Sequence, residues 1–338
     1  MKNYARFELH LHLDGSLNLP WAYRTSLAEG VIDPSTTFEE YYESMYFTGY
    51  KNREDGFRKF DLTCAVMQTK QNLHDSTYNL VKMLYEEGIF YAEMRFASQQ
   101  HCLKGLTQKE ALEAVCNGAK DGMKDFPDIE IRILNCMMHK GDSASVNMEA
   151  NYETIEATRA LMPEGIVVGL DLAGYENNCD FMEYAPLFEK AREYGIPYTI
   201  HAGEMGMGEH VMDALAMKAH RIGHGVDCVN NPDWLKAVVD SQVTLEVCVT
   251  SNCKKREYEL HPIRKLLAAG ARCTINSDNM MFSKTDNRYE HYMLKQICVT
   301  DEQLLQCAYN AIDAAFCDEN TKQKLREKMK KVEAGKLN

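Results

Sequence analysis

Short apolar runs of strand length alternate, along nearly the whole chain, with longer stretches in which apolar residues recur every three or four positions. The short runs are YARFELHLH, GIFYAEMRFAS, IEIRILNCMMH, GIVVGLDLAG, GIPYTIHAGE, HRIGHG, VTLEVCVTS and ARCTINSDN, and their length and content read as buried strands. The longer stretches include DSTYNLVKMLYEEG, TQKEALEAVCNGAKDGM, CDFMEYAPLFEKAREYG and PDWLKAVVDSQ, each with its apolar residues on one helical face. Several close on Gly, the residue that most readily takes the left-handed conformation ending a helix. Strands separated by helices pair in parallel through right-handed crossovers. Eight such units predict an α/β protein folded as a closed (β/α)8 barrel, the TIM barrel. An open doubly wound sheet is the rival architecture, yet the first strand leads into no GxGxxG turn and the chain holds no GxxxxGK[ST] loop. No Pro-, Gly- or Ser-rich linker divides residues 1–338, which therefore read as one domain.

The first unit is long. Residues 14 to 88 separate the first two strands and contain TFEEYYESMYFTGYKNREDGFRKFDLTCAVMQ. This aromatic and charged segment predicts extra helices, inserted after the first strand and laid over one end of the barrel.

Polar residues interrupt the apolar runs at one end. Residues i and i+2 of a strand share a side, so Leu9, Leu11 and Leu13 face a helix layer while His10, His12 and Asp14 share the other side. Later strands carry Glu93 and Arg95, Asp171, His201 and Glu204, His224, Thr250 to Asn252, and Asp278 with Asn279 toward their C-terminal ends. In a barrel those ends converge on the mouth where active sites are built. Glu93 and Arg95 read as an ion pair closing the barrel, Asp171 as a tether to backbone or to the next strand, and GEMGMGEH (Gly203 to His210) as a flexible turn. His74, His101, His139, His210, His220, His261 and His291 fall in helices or loops and receive no role.

That leaves His10, His12, His201, Glu204, His224, Asp278 and Asn279, among which three imidazoles and one carboxylate suit a borderline divalent ion, zinc first, with iron, cobalt and manganese behind it. A water in an open position on such an ion has its pKa lowered toward about 7. Glu204, three residues after His201, sits near the ion without needing to bind it and can carry a proton.

Composition narrows the partners. With 38 basic and 50 acidic residues the net charge is -12, which repels a nucleic-acid backbone. No stretch approaches the roughly 18 to 20 apolar residues of a membrane helix, and the N-terminus MKNYARFELH has no apolar signal core. The 12 cysteines are scattered singly, with no CxxC pair, as reduced and mostly buried thiols would be. The expectation is a soluble cytoplasmic protein without nucleic-acid or membrane partners.

HLHLDGSL, HAGE, RIGHG, EVCVTSN and NSDN, in this order on strands one, five, six, seven and eight, resemble the adenosine deaminase family of the amidohydrolase superfamily. GLDLAG, HPIRKLLAAG and AYNAIDAAFCDENTKQKL extend the resemblance over nearly the whole chain. It implies one Zn2+ per chain held by His10, His12, His201 and Asp278. It further implies that Glu204 protonates N1 of a purine, that zinc-bound hydroxide oriented by His224 and Asp278 attacks C6, and that ammonia leaves. Gly174 would offer its backbone to N3, and Asp14 would face the ribose. The implied activity is conversion of adenosine or 2'-deoxyadenosine, a small-molecule purine nucleoside, to the inosine product in purine salvage.

The family pattern breaks twice. Asp278-Asn279-Met280 stands where relatives usually have two aspartates and a proline, and Val249 replaces a common proline. Asn279 can donate an amide N–H to N7 without being protonated first, so it changes the electrostatics around the purine. Two other substrate classes stay open on this basis: free adenine, and a 5'-modified adenosine or nucleotide. A non-catalytic purine-binding protein is the reading from a different class. Lys254, Lys255 and Arg256, after strand seven, read as a solvated basic loop.

Overall fold

The computed structural model describes residues 6–46, 53–176, 180–204, 206–253 and 257–335, with the side chains of 53–58 outside the description. Eight strands follow in chain order: β1 Arg6–His12, β2 Ile89–Phe96, β3 Glu130–His139, β4 Val167–Gly174, β5 Thr199–Ala202, β6 Arg221–His224, β7 Thr244–Val247 and β8 Arg272–Ile275. Each of the eight expected runs contains one of them. All ladders are parallel, in the orders β1-β2-β3-β4 and β5-β6-β7-β8.

Two single bridges close the ring, Leu170 to Tyr198 and Leu11 to Asp278. At the first seam Leu170 N–H donates to the Pro197 carbonyl at 3.0 Å. At the second, His12 N–H donates to the Asp278 carbonyl and Asp278 N–H to the His10 carbonyl, both at 2.9 Å. The Asn276 side chain also accepts from Leu9 N–H at 2.9 Å. The backbone of three candidate ligands is thus part of the barrel closure.

Alternation along β1 works as expected. Leu11 and Leu13 pack with Leu80, Leu84 and Ala111 of the surrounding helices, and Leu9 with Ala308 and Ile312. All three leucines are fully buried, each worth roughly 1.5–3 kcal/mol of apolar transfer. The crossover helices have matching ends. Thr69 caps Lys70–Glu87, which stops at Gly88 in the left-handed region, and Thr107 with Glu110 forms a capping box on Gln108–Asp125.

The insertion after β1 supplies helices Leu19–Ala28, Phe38–Ser44 and Arg53–Val66 ahead of the crossover helix. The third brings Phe60 to 6.5 Å from His12 and 4.8 Å from Phe282, ring centre to ring centre. An aromatic wall therefore stands beside the mouth.

Two expectations about regular elements need correction. VTLEVCVTS leaves the sheet after Val247 and makes a helical turn, Val249–Asn252, in which Thr250 N–H is taken by the Glu290 carboxylate at 3.0 Å. The stretch around Pro186 is two pieces, a 3₁₀ turn Phe181–Tyr184 and a helix Ala185–Glu193. Pro suits the first turn of a helix, where its missing N–H costs nothing.

The barrel interior holds a chain of opposite charges. Arg221 bonds Glu93 at 2.5 Å and Glu246 at 2.6 Å, while Arg95 bonds Glu246 at 2.9 Å and Asp171 at 3.0 Å. Glu93 and Arg95 thus pair across the barrel with other strands, not with each other. Residues two apart on a strand rise by about 6.6 Å, so each meets partners at its own level.

Candidate metal centre and its acid–imidazole pair

His10 and His12 project from β1, His201 from β5, and Asp278 follows β8. Nε2 of His12 lies 3.2 Å from Nε2 of His201 and 3.5 Å from Asp278 Oδ1. Nε2 of His10 is 3.7 Å from that same oxygen. Ligands about 2.1 Å from a tetrahedral zinc stand about 3.4 Å from one another, close to these three separations; donor atoms of His10, His12 and His201 all lie within 4.8 Å of one another, as do those of His10, His224 and Asp278. His10 Nε2 is also buried and has no hydrogen-bond partner, an orphan that a bound ion would satisfy.

The charged chain in the barrel sets the tautomers. Glu246 Oε2 accepts from His10 Nδ1 at 2.8 Å, and Asp171 Oδ2 accepts from His201 Nδ1 at 3.0 Å. Each carboxylate takes the Nδ1 proton and leaves Nε2 as a lone pair toward the centre, the usual outer support of a metal histidine. Burial, helped by Arg95 and the other imidazoles, holds His10 neutral far below its ordinary range. Burial likewise brings His12 down to about 3, against the attraction of Asp278. His201 moves the other way, because the charge and hydrogen bond of Asp171 outweigh its desolvation. Asp278 is held through both oxygens, by Ser251 Oγ at 2.5 Å and Asn279 Nδ2 at 2.6 Å.

His224 and Asp278 both sit at φ 60°. The left-handed region costs a residue with a β-carbon of order 1–3 kcal/mol and is concentrated at functional sites. Here it turns both side chains out of their strand ends toward the centre. His224 Nε2 is 3.2 Å from Glu204 Oε2.

A relay of hydrogen bonds assigns the proton on that imidazole. Ile263 N–H donates to His261 Nδ1 at 3.1 Å, so His261 carries its proton on Nε2, 3.4 Å from Asn252 Oδ1. The Asn252 amide then donates to His224 Nδ1 at 3.2 Å. His224 is left with an Nε2–H directed at Glu204, an assignment made from the network.

Glu176 fixes the other side of this pair. Its carboxylate accepts from Gly203 N–H at 2.6 Å, Glu204 N–H at 3.1 Å and His210 Nδ1 at 3.0 Å. The turn after β5, expected to be flexible, is held at Gly203 and Glu204 by Glu176 and at Gly206 by Asp227; Met205 within it lies outside the described residues.

The other expected site residues fall around this core. Asp14 is buried beyond His12, and burial raises its carboxyl to about 7. Gly174 ends β4 at φ +121°, where a β-carbon would lie 2.6 Å from the His139 carbonyl, so only glycine fits. Asn279 gives its amide to Asp278, and its Oδ1 lies so close to Gly15 that a β-carbon there would be 1.7 Å away. The Lys254–Arg256 loop lies outside the described residues.

The structure therefore brings together His10, His12, His201, Glu204, His224, Asp278 and Asn279, and it gives parts to residues that the sequence reading left without one. Glu246, Asn252, His261, Glu176 and His210 each touch the centre or the residues that build it. Glu246 and Asn252 had a readable signal, the first as the one acid within a strand-seven run of apolar residues and the second as a polar residue at that run's C-terminal end.

A barrel whose C-terminal mouth carries clustered imidazoles, a carboxylate and an adjoining acid has the donor set and the proton carrier of a metal-dependent hydrolase. Comparisons with known proteins place it further. The family model for adenosine deaminase matches residues 5–332. An adenosine deaminase of Clostridium perfringens is 34% identical over 331 residues, covering 96% of this chain and 97% of that protein. Among solved structures, adenine deaminase from Arthrobacter aurescens superposes with a TM-score of 0.86 at 23% identity, covering 98% of this chain and 100% of that one. An Arabidopsis N6-mAMP deaminase gives 0.83 at 23% identity over 97% and 98%. The chain belongs to the adenosine deaminase family, and it is an aminohydrolase. No helix among its described residues is long and apolar enough to cross a membrane.

Proposed function

We propose that this enzyme hydrolyses the 6-amino group of adenosine and 2'-deoxyadenosine, with one zinc per chain. One observation carries the reading: the Glu204 carboxylate faces the His224 Nε2–H at 3.2 Å, beside clustered imidazole and carboxylate donors able to hold a metal ion. Whole-chain similarity to adenosine deaminases at 32–34% identity supports the nucleoside over the substrates named for the 23% identical neighbours. Eleven described cysteines are free thiols, which supports a reducing compartment such as the cytoplasm.

His10, His12, His201 and Asp278 hold the ion, which when bound supplies Lewis acidity and a water made nucleophilic at neutral pH. Glu204 donates a proton to N1 of the purine, drawing electrons from C6 as the water oxygen adds there. The C6–N bond then breaks; of the water's two protons, one passes to the departing amino group, which leaves as ammonia, and the other restores the Glu204 carboxyl. His224 donates its Nε2–H, which holds Glu204 in place and orients the incoming oxygen; in this tautomer it is a donor and not the base. A positioned acid of this kind contributes roughly 10² to 10⁴-fold. The Gly174 backbone meets the purine edge at N3, and Asp14 the sugar. Asn279 borders N7 while its amide steadies Asp278.

The test is ammonia release from adenosine, 2'-deoxyadenosine, adenine, AMP and N6-methyl-AMP, with metal content measured in the same sample. Nucleosides should be turned over at least tenfold faster than the rest. Preference for adenine or a nucleotide overturns the substrate assignment. Nucleoside binding without any ammonia release would favour the purine-binding reading.

A further inference from the structure

A second cluster of metal-binding side chains lies beyond the first. Asp14 follows β1, Cys64 comes from the inserted helix Arg53–Val66, and His101 follows the turn after β2. All three are buried, and one donor atom from each lies within 4.8 Å of the other two. His101 Nδ1 donates to the Met67 carbonyl at 3.1 Å. That bond fixes the tautomer and leaves Nε2 as a lone pair, which is buried and has no hydrogen-bond partner. Asp14 Oδ1 is orphaned in the same way. Cys64 Sγ lies 3.3 Å from Gln100 Oε1 and 4.0 Å from Asp14 Oδ2. One S–H proton thus faces several acceptors and can satisfy one of them. Buried acceptors left without a donor are costly, and a cation answers all of them at once.

We infer that Asp14, Cys64 and His101 form a second metal site, separate from the catalytic centre, for a thiophilic divalent ion such as zinc or cadmium. A thiolate, an imidazole and a carboxylate match that class, whereas magnesium and calcium prefer oxygen ligands alone. The His101 ring has its far nitrogen on a backbone carbonyl, as metal-binding histidines commonly do. A tetrahedral zinc with bonds of about 2.3 Å to sulfur and about 2.1 Å to oxygen separates those atoms by about 3.6 Å. The observed 4.0 Å needs only a small contraction. Binding releases the thiol proton to solvent, and Gln100 Oε1 or a water completes the shell. Occupancy also withdraws Asp14 from the sugar. That consequence rests on the nucleoside reading above; the metal binding does not.

The experiment starts from enzyme carrying one metal per chain and titrates it with Cd2+, following bound metal and near-ultraviolet thiolate-to-metal absorption. The wild type should take up a second equivalent with an absorption band. Cys64→Ala and His101→Gln should stop at one equivalent without the band, and Mg2+ should give neither. The exposed thiol of Cys298 is present in all three proteins, so the difference isolates the cluster. As the second site fills, KM for adenosine should rise roughly tenfold with kcat little changed, the scale of a lost hydrogen bond to a charged group. A wild type that stops at one equivalent and shows no band overturns the proposal without any variant, and so does Cys64→Ala binding two. Neither readout needs turnover, so an enzyme inactive on adenosine would sink the substrate assignment and leave this site standing.

Discussion

Glu246→Gln is the sharpest probe of how the barrel interior serves the metal centre. Glu246 is fully buried and accepts from Arg221 Nε at 2.6 Å, Arg95 Nη2 at 2.9 Å and His10 Nδ1 at 2.8 Å. Glutamine keeps the shape but removes the negative charge between two guanidinium groups and turns an NH2 toward one of three donors. Breaking a buried ion pair from one side costs about 3–5 kcal/mol. For 338 residues, at about 2.1 cal/mol/K each, the unfolding entropy is about 0.7 kcal/mol/K, so Tm should fall by about 4–7 °C. His10 also loses the carboxylate that orients it, which should weaken metal affinity roughly 10- to 100-fold. Thermal unfolding of the metal-free protein isolates the first effect, and competition with a chelator of known affinity isolates the second. A variant with Tm within about 1 °C of wild type and unchanged metal affinity would refute the claim that this carboxylate organises the centre, since the cited costs predict a shift several times larger.

Other predictions follow from the same geometry. Glu204→Gln should keep its metal and lose roughly 10² to 10⁴-fold in kcat, read by ammonia release with metal analysis; near-normal turnover would remove Glu204 as proton donor. Asn252→Leu deletes the amide that fixes the His224 tautomer, so kcat should drop about tenfold or more and the pH–rate profile should move while KM and metal content hold, roughly the effect of losing one hydrogen bond in a catalytic network. Glu290 is pushed up to about 7 by burial, against hydrogen bonds from Thr250 and Thr285 that pull it down. The unfolded chain ionises this group near 4.5 while the native protein keeps its proton, so stability is fullest below that pH and falls as pH rises toward 7. Glu290→Gln should flatten that fall, by up to about 3 kcal/mol across the window; denaturant unfolding at pH 5 and pH 7 checks it, and an unchanged slope counts against the burial argument.

Sequence alone carried the periodicities, and with them a great deal. Alternation in RFELHLH assigned Leu9 and Leu11 to the helix layer and His10 and His12 to the interior, because side-chain direction along a strand follows from local geometry. Eight strand–helix units implied closure, and closure implied one mouth, which is why His201, Asp278 and Glu204 could be gathered from distant segments. What local pattern cannot supply is the partner across the barrel. Glu93 and Arg95 look like a pair because they are two residues apart, yet the ring of strands sets each against other residues: Arg221 for one, Asp171 and Glu246 for the other. The same holds for the relay from Ile263 N–H through His261 and Asn252 to His224, and for Glu176 gripping the Glu204 backbone. Each bond depends on distance and angle between elements far apart in the chain, so only the packed tertiary structure decides where the protons sit and which carboxylate holds which histidine.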